Sequence, residues 1–340
     1  MKNCKEEASI SDFYKTCACR QTGILHTLKH RPCEDHTAMS VSPDGCIAIT
    51  LADGAGSYSK AAEGAQITST AAAEHLANHF AALWQMPPDQ AACSILDAVL
   101  YKLSAKAGST GLSLKEYSST LLAAAAAPDG RCLLFHVGDG VILGLDRSGG
   151  CHILSRYEHD GPDNLTTFVT VPGTTYFIQQ SNMHQNGLCA YALTSDGCEE
   201  RLVNEFGCDP HAQLMLHLFF FLGSADMANQ LESLFQLMQS HGATDDLSIN
   251  LLADTRCTGD IFSAVSPAFR RDILELPAAG YQVKRLSKVL HAVAHHPEGM
   301  TFYQLSRALH LHSARIARRK AMRLVDAGLL TLSDGVLRIV

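Results

Sequence analysis

Three aspartates in this 340-residue chain share one local setting. Asp53, Asp139 and Asp196 each end a short apolar run (residues 46–51, 133–138 and 191–195) and each precede a glycine. A strand that closes on a carboxylate, then a glycine permitting positive φ or close backbone approach, accounts for the pattern. A further acidic pair, Asp245-Asp246, stands immediately before an apolar stretch, and another, Glu34-Asp35, stands just ahead of residues 36–41. Aspartates at strand ends can converge on one rim of a sheet, where they repel unless cations neutralise them. An all-oxygen donor set suits Mg²⁺ or Mn²⁺. Two such ions about 3.5–4 Å apart activate a water for in-line attack on phosphorus. Asp-Gly is equally a hairpin signal, so on spacing alone unconnected turn aspartates account for the pattern as well.

The elements that would carry these residues are short and mixed. Strands are expected near residues 23–28, 36–41 and 46–51, with Pro43-Asp44-Gly45 as a turn. Helices follow over 58–84 and 89–106, separated by Pro87-Pro88. The alanine run after Ser118-Ser119-Thr120 has helical propensity, but its place before Pro128-Asp129-Gly130 and the strand 131–137 reads as a hairpin. Further strands are expected at 141–145, 151–154, 174–179, 188–193 and 247–252, with helices at 211–222 and 225–241. Strand-rich stretches around helical pairs indicate an α+β domain, not a doubly wound sheet.

Composition narrows the class. The chain is 46% hydrophobic and 18% charged, ordinary for a globular protein and long enough for two unequal domains. The longest aliphatic–aromatic run, 214–222, is interrupted by His217 and too short for a membrane span. With no apolar leader in residues 1–7, a cytoplasmic protein without a membrane partner is expected. Twelve cysteines are scattered, and Cys17-Ala18-Cys19 lacks the spacing of a zinc site, so reduced packing thiols are expected.

The ordered set Cys33-Glu34-Asp35, Asp53-Gly54-Ala55-Gly56-Ser57, Ser119-Thr120, Gly138-Asp139-Gly140, Ser195-Asp196-Gly197 and Asp245-Asp246 resembles the metal-dependent serine/threonine phosphatases of the protein phosphatase 2C family, its bacterial branch above all. The resemblance covers roughly residues 20–255. It implies a β-sandwich of two antiparallel sheets flanked by helices, with two or three Mn²⁺ or Mg²⁺ ions in a cleft at one end. Carried over by position, Asp53 would bridge two ions and the Gly54 carbonyl would bind one. Asp196 and Asp245 would complete one shell, and Asp139 with Asp196 would form a weaker third site. Asp35 falls where a direct or water-mediated ligand is expected, with Glu34 supporting it from behind. The implied activity is hydrolysis of phosphoserine and phosphothreonine on proteins by a metal-activated water, with Asp53, Asp196 and Asp245 as the catalytic aspartates. Two positions depart from the family pattern. The phosphate-holding arginine expected four residues before the glutamate is His30, with Arg31 and Lys29 beside it, and the position after Asp53-Gly54 holds Ala55 where some members carry a histidine acid. Neither departure removes a metal ligand.

Charge divides the chain: residues 1–269 balance at −14 and residues 270–340 at +7. The expected organisation is a polar segment 1–20, a catalytic domain 21–256, a linker 257–281 and a C-terminal domain 282–340. Short helices at 283–295, 303–310 and 313–327, the last capped by Ser313, followed by a hairpin around Ser333-Asp334-Gly335, read as a winged helix-turn-helix. Arg315, Arg319 and Arg323 repeat every four residues on its third helix, as phosphate contacts on DNA would. A basic face that contacts a protein, or docks on the acidic body, is the other reading. The competing function is a transcriptional regulator or adaptor with a sensing, phosphatase-like body.

Overall fold

The computed structural model describes residues 13–156, 166–277 and 280–340. Strand β1 (Tyr14–Gln21) and the short helix α1 (Ile24–Leu28) lead into β2 (Asp35–Val41) and β3 (Ile47–Asp53). Two long helices, α2 (Ala61–Gln85) and α3 (Pro88–Thr110), precede β4 (Leu121–Ala126), β5 (Arg131–Val137), β6 (Val141–Asp146), β7 (Cys151–Arg156) and β8 (Phe177–Asn182). A single turn, α4 (Met183–Asn186), joins β8 to β9 (Leu188–Thr194), and helix α5 (Asp196–Leu202) follows. The ribbon β10 (Val203–Asn204) and β11 (Gly207–Cys208) comes before α6 (Pro210–Phe219), α7 (Ser224–Ser240) and β12 (Leu247–Asp254).

The long strands form two antiparallel sheets, ordered β1-β12-β9-β6-β7 and β2-β3-β4-β5-β8. Alternation decides which side chains meet. On β3, Ile47, Ile49 and Leu51 join Leu122, Leu134, Ile142, Tyr191 and Leu193 between the layers, while Ala48 faces the helices. The alanine run forms β4, buried on both faces. Leu121, Ala123 and Ala125 pack under α2 and α3; Leu122, Ala124 and Ala126 pack between the sheets. Small side chains let α2 approach the strands, and burial on both sides outweighs the high helical propensity of alanine. The outer face of the other sheet packs into one apolar cluster with α6, α7 and buried residues that follow β12.

Two expectations about the N-terminal part are corrected. Residues 23–28 form a helix: Gly23 N–H donates to Asp246 and Leu25 N–H to the Thr244 carbonyl, so the loop before β12 captures this segment's donors. The expected polar segment 1–20 contains most of β1, which pairs with β12 from Tyr14↔Asp254 to Gln21↔Leu247. Residues 1–12 lie outside the described residues. The strand expected at 174–179 is displaced to β8.

The stretch 257–281, expected as a linker, holds α8 (Thr258–Ala264) and α9 (Pro267–Asp272). Ile261, Phe262, Val265 and Phe269 from these helices are buried in the same cluster as Phe219, Phe220 and Phe221. After them come α10 (Tyr281–Ala294), β13 (Met300–Thr301), α11 (Phe302–Ala308), α12 (Ala314–Asp326), β14 (Leu330–Ser333) and β15 (Val336–Ile339). The small strands pair in the order β13-β15-β14. Ser313 caps α12 by accepting from Ile316 N–H, and Asp334-Gly335, both at positive φ, make the hairpin turn. Among the described residues no helix is long and apolar enough to cross a membrane.

Candidate metal centre

Antiparallel pairing brings the aspartates to one rim. Asp35 begins β2 directly opposite Asp53, which ends β3. Val137, which ends β5, pairs with Leu121, and the chain turns through Asp139 into Val141, opposite Thr194 at the end of β9. Asp196 follows Thr194 by two residues. Asp245 stands just before β12, whose Ile249 also pairs with Thr194. Five acidic positions spread over more than two hundred residues thus share one end of the sandwich.

Ligand oxygens of Asp53, Asp139 and Asp196, all half-buried, lie within 4.8 Å of one another. Their backbones are pinned. Asp53 N–H donates to the Thr120 hydroxyl at 2.9 Å, and Thr120 N–H returns a bond to the Asp53 carbonyl at 2.8 Å. Gly54 N–H donates to the Glu34 carbonyl, and a Cβ at residue 54 would meet the Ala61 backbone at 2.6 Å. Only glycine permits this approach. Asp139 lies between Gly138 and Gly140, both at positive φ, and its Oδ2 accepts from the Thr166 hydroxyl.

The electrostatics are those of crowded, desolvated carboxylates. Asp35 is buried, and neither of its carboxylate oxygens has a hydrogen-bond partner; Glu34 Oε2 is in the same condition. Desolvation, followed by the neighbouring Asp246 charge, pushes Asp35 up to about 7. Desolvation and then the Asp139 and Asp245 charges push Asp196 up to about 7. Asp53 is raised well above the usual carboxylate range by desolvation and by Asp35, Asp196 and Asp139. Carboxylates this close ionise together only when cations neutralise them, so an oxygen-ligated divalent cation suits the residues present.

The expected residues fall unequally around this centre. Asp35 flanks Asp53. Asp245 is exposed beside Asp196, near enough for its charge to act there, but outside the close trio. Arg31 is held at the rim, donating to Glu34 Oε1 at 2.5 Å and to the Gly56 carbonyl at 2.9 Å. His30, in contrast, is an exposed residue at φ 55°. Cys33 contributes packing: its thiol donates to the Asp35 carbonyl, and burial raises its pKa. Arg315, Arg319 and Arg323 lie exposed on α12 and belong to the C-terminal unit.

Two participants had no signal in residue spacing. Asp246, 3% exposed, accepts from Gly23 N–H and Glu34 N–H, each at 2.6 Å. Its Oδ2 also lies 2.9 Å from His26 Nδ1. It ties α1 and the Glu34 loop to the strand that presents Asp245. In the sequence Asp246 is half of an acidic pair and His26 an isolated histidine, because their contact spans 220 residues.

Residues 22–236 match the family model described as protein phosphatase 2C. The chain belongs to the protein phosphatase 2C family. A curated relative, serine/threonine-protein phosphatase 3 of Escherichia coli (strain K12), is 24% identical over 225 residues, 64% of this chain and 86% of the relative. The serine/threonine phosphatase of S. agalactiae superposes with a TM-score of 0.51 at 15% identity, covering 71% of this chain and 99% of that one. A bacterial serine phosphatase carrying an arginine substitution gives 0.50 at 17% identity, covering 70% and 97%. These structures share the fold. As a protein phosphatase 2C member, this chain is a metal-dependent serine/threonine protein phosphatase. The competing reading, a regulator or adaptor with a sensing, weakly active or inactive phosphatase-like body, is not favoured.

Proposed function

We propose that Asp53, Asp139 and Asp196 hold the divalent ions at the centre of the site, and that Asp35, Asp245 and the Gly54 carbonyl complete their shells. The convergence of the first three within 4.8 Å is the observation that carries this. Two or three Mn²⁺ or Mg²⁺ ions would supply, when bound, an activated water and neutralisation of phosphoryl charge. The protein's own part is positioning. Arg31, braced by Glu34 Oε1 and the Gly56 carbonyl, faces the phosphate of a phosphoserine or phosphothreonine side chain. His30 has no comparable side-chain support among the described residues. Ala55, 7% exposed, leaves the loop after Asp53 without a proton donor. Mn²⁺-dependent hydrolysis of a phosphothreonine peptide by the wild type and Asp53→Asn tests the assignment. Turnover is expected to fall roughly a hundredfold or more; a variant that turns over normally would sink it.

The C-terminal unit is read as a winged helix-turn-helix with an interaction role. Its three helices, its β13-β15-β14 ribbon and the Ser313 cap support that reading. No ion pair links α12 to the acidic body among the described residues, so its arginines are available to DNA or to a protein. Gel retardation of the full chain at low salt separates the two, retardation that salt abolishes being the DNA outcome.

A further inference from the structure

Four cations gather between α10 and α12. A groove of about 230 Å³ is lined by Gln282, Arg285 and Leu286 from α10 and by Arg319, Lys320 and Arg323 from α12. None of the four cations has a carboxylate partner among the described residues. Two are held in place without one. The Arg285 guanidinium lies 3.8 Å from the Tyr281 ring centroid, and Arg323 donates to Gln282 Oε1 at 3.0 Å. Gathering like charges in a concavity is unfavourable, and Lys320 registers it: desolvation, then the Arg285 and Arg319 charges, lower its pKa. An anion in the groove would remove that repulsion.

Shape selects among anions. Arg315 and Arg318, also exposed on α12, do not line the groove. The charge therefore converges from two helices on one point instead of tracking a linear backbone. Arginine forks supply paired donors that match a phosphate's oxygens. We propose that this groove binds a phosphorylated side chain of a protein segment, as a recruitment site separate from the metal centre. The proposal rests on the reading of this protein as a phosphatase of phosphoproteins, and it adds two α10 residues, Arg285 and Gln282, that α12 alone did not suggest.

The test uses the full-length protein in chelator, so that no turnover competes. A fluorescent phosphothreonine peptide and its unphosphorylated twin are titrated and followed by anisotropy. The phosphopeptide alone is expected to bind. Binding should weaken roughly tenfold or more in Arg285→Gln/Arg319→Gln, which removes two charge-assisted contacts, and stay within about twofold in Arg307→Gln/Arg318→Gln, which removes two cations outside the groove. Equal loss in both pairs, or equal binding of the two peptides, overturns the proposal. Displacement of the peptide by an equal concentration of inorganic phosphate would make this a free-phosphate site and also overturns it. Tighter binding of a short DNA duplex than of the phosphopeptide assigns the face to nucleic acid instead. Mn²⁺-dependent hydrolysis of p-nitrophenyl phosphate by the wild type is measured in parallel; its absence would fault the phosphatase reading itself, whatever the peptides do.

Discussion

Asp246 lies beside an expected metal ligand, yet its own oxygens face inward to two backbone donors and a histidine ring. Replacing it with alanine leaves Gly23 N–H and Glu34 N–H without acceptors, at a cost of about 2–4 kcal/mol. Asp246→Ala should also raise the half-activating Mn²⁺ concentration by roughly 10–100-fold, the usual effect of removing a group that orients ligands. An unchanged Mn²⁺ profile would confine Asp246 to a purely structural role. A second residue is set apart by charge. Lys15 is 8% exposed, donates weakly to the Leu222 carbonyl and stands over the Phe219 ring, and burial pushes its pKa down to about 7. The folded state thus binds fewer protons than the unfolded state between about pH 7 and 10.5. The penalty is complete below pH 7 and disappears as pH rises through 10.5. Lys15→Met should therefore raise Tm most near pH 6 and least near pH 10; a pH-independent gain would contradict the argument. The Asp-Gly residues that meet at the candidate site were legible because strand-end carboxylates followed by glycine leave a local trace. The Asp246–His26 contact leaves none.

At the level of elements, most strands and helices followed from periodicity and turn residues, including the choice of strand for the alanine run at β4. The failures share one cause. Residues 23–28 and the segment now in β1 carry weak local signals, and distant partners settle their state: the 244–246 loop for α1, and β12 for β1. The α8–α10 contact is another tertiary decision. A Cβ at Gly259 would meet the Ser287 carbonyl at 2.8 Å and His291 N at 3.1 Å, and the Ser287 hydroxyl donates to the Gly259 carbonyl at 2.7 Å. Gly259→Val should separate these helices and cost about 1–3 kcal/mol, read as a lowered Tm by calorimetry. A variant as stable as the wild type would show that the crossing can relax.

Across the whole molecule, the phosphatase body and the basic C-terminal unit share one apolar cluster. Phe221 packs edge-on to Phe262 at 6.5 Å and lies 5.8 Å from Phe269. A chain ended at residue 256 loses those partners and exposes the apolar face of α6. It should bind a hydrophobic dye and unfold at a lower temperature than the full chain; an equally stable, dye-silent fragment would refute the shared core. The sequence by itself determined the family, the two-sheet class, the acidic set of the site and the reversal of charge between its two parts. The acidic set and the charge reversal are written in residue type and order, which short-range rules can read, whereas the family and the two-sheet class come from the resemblance carried by the ordered motifs. Tertiary structure alone decided that Asp53, Asp139 and Asp196 meet while Asp245 stands aside. It also decided that Arg31 rather than His30 is braced at the rim, and that residues 257–281 are packed helices. Those outcomes depend on strand register and on contacts between residues far apart in the chain, where burial and hydrogen-bond satisfaction act and local pattern carries no information.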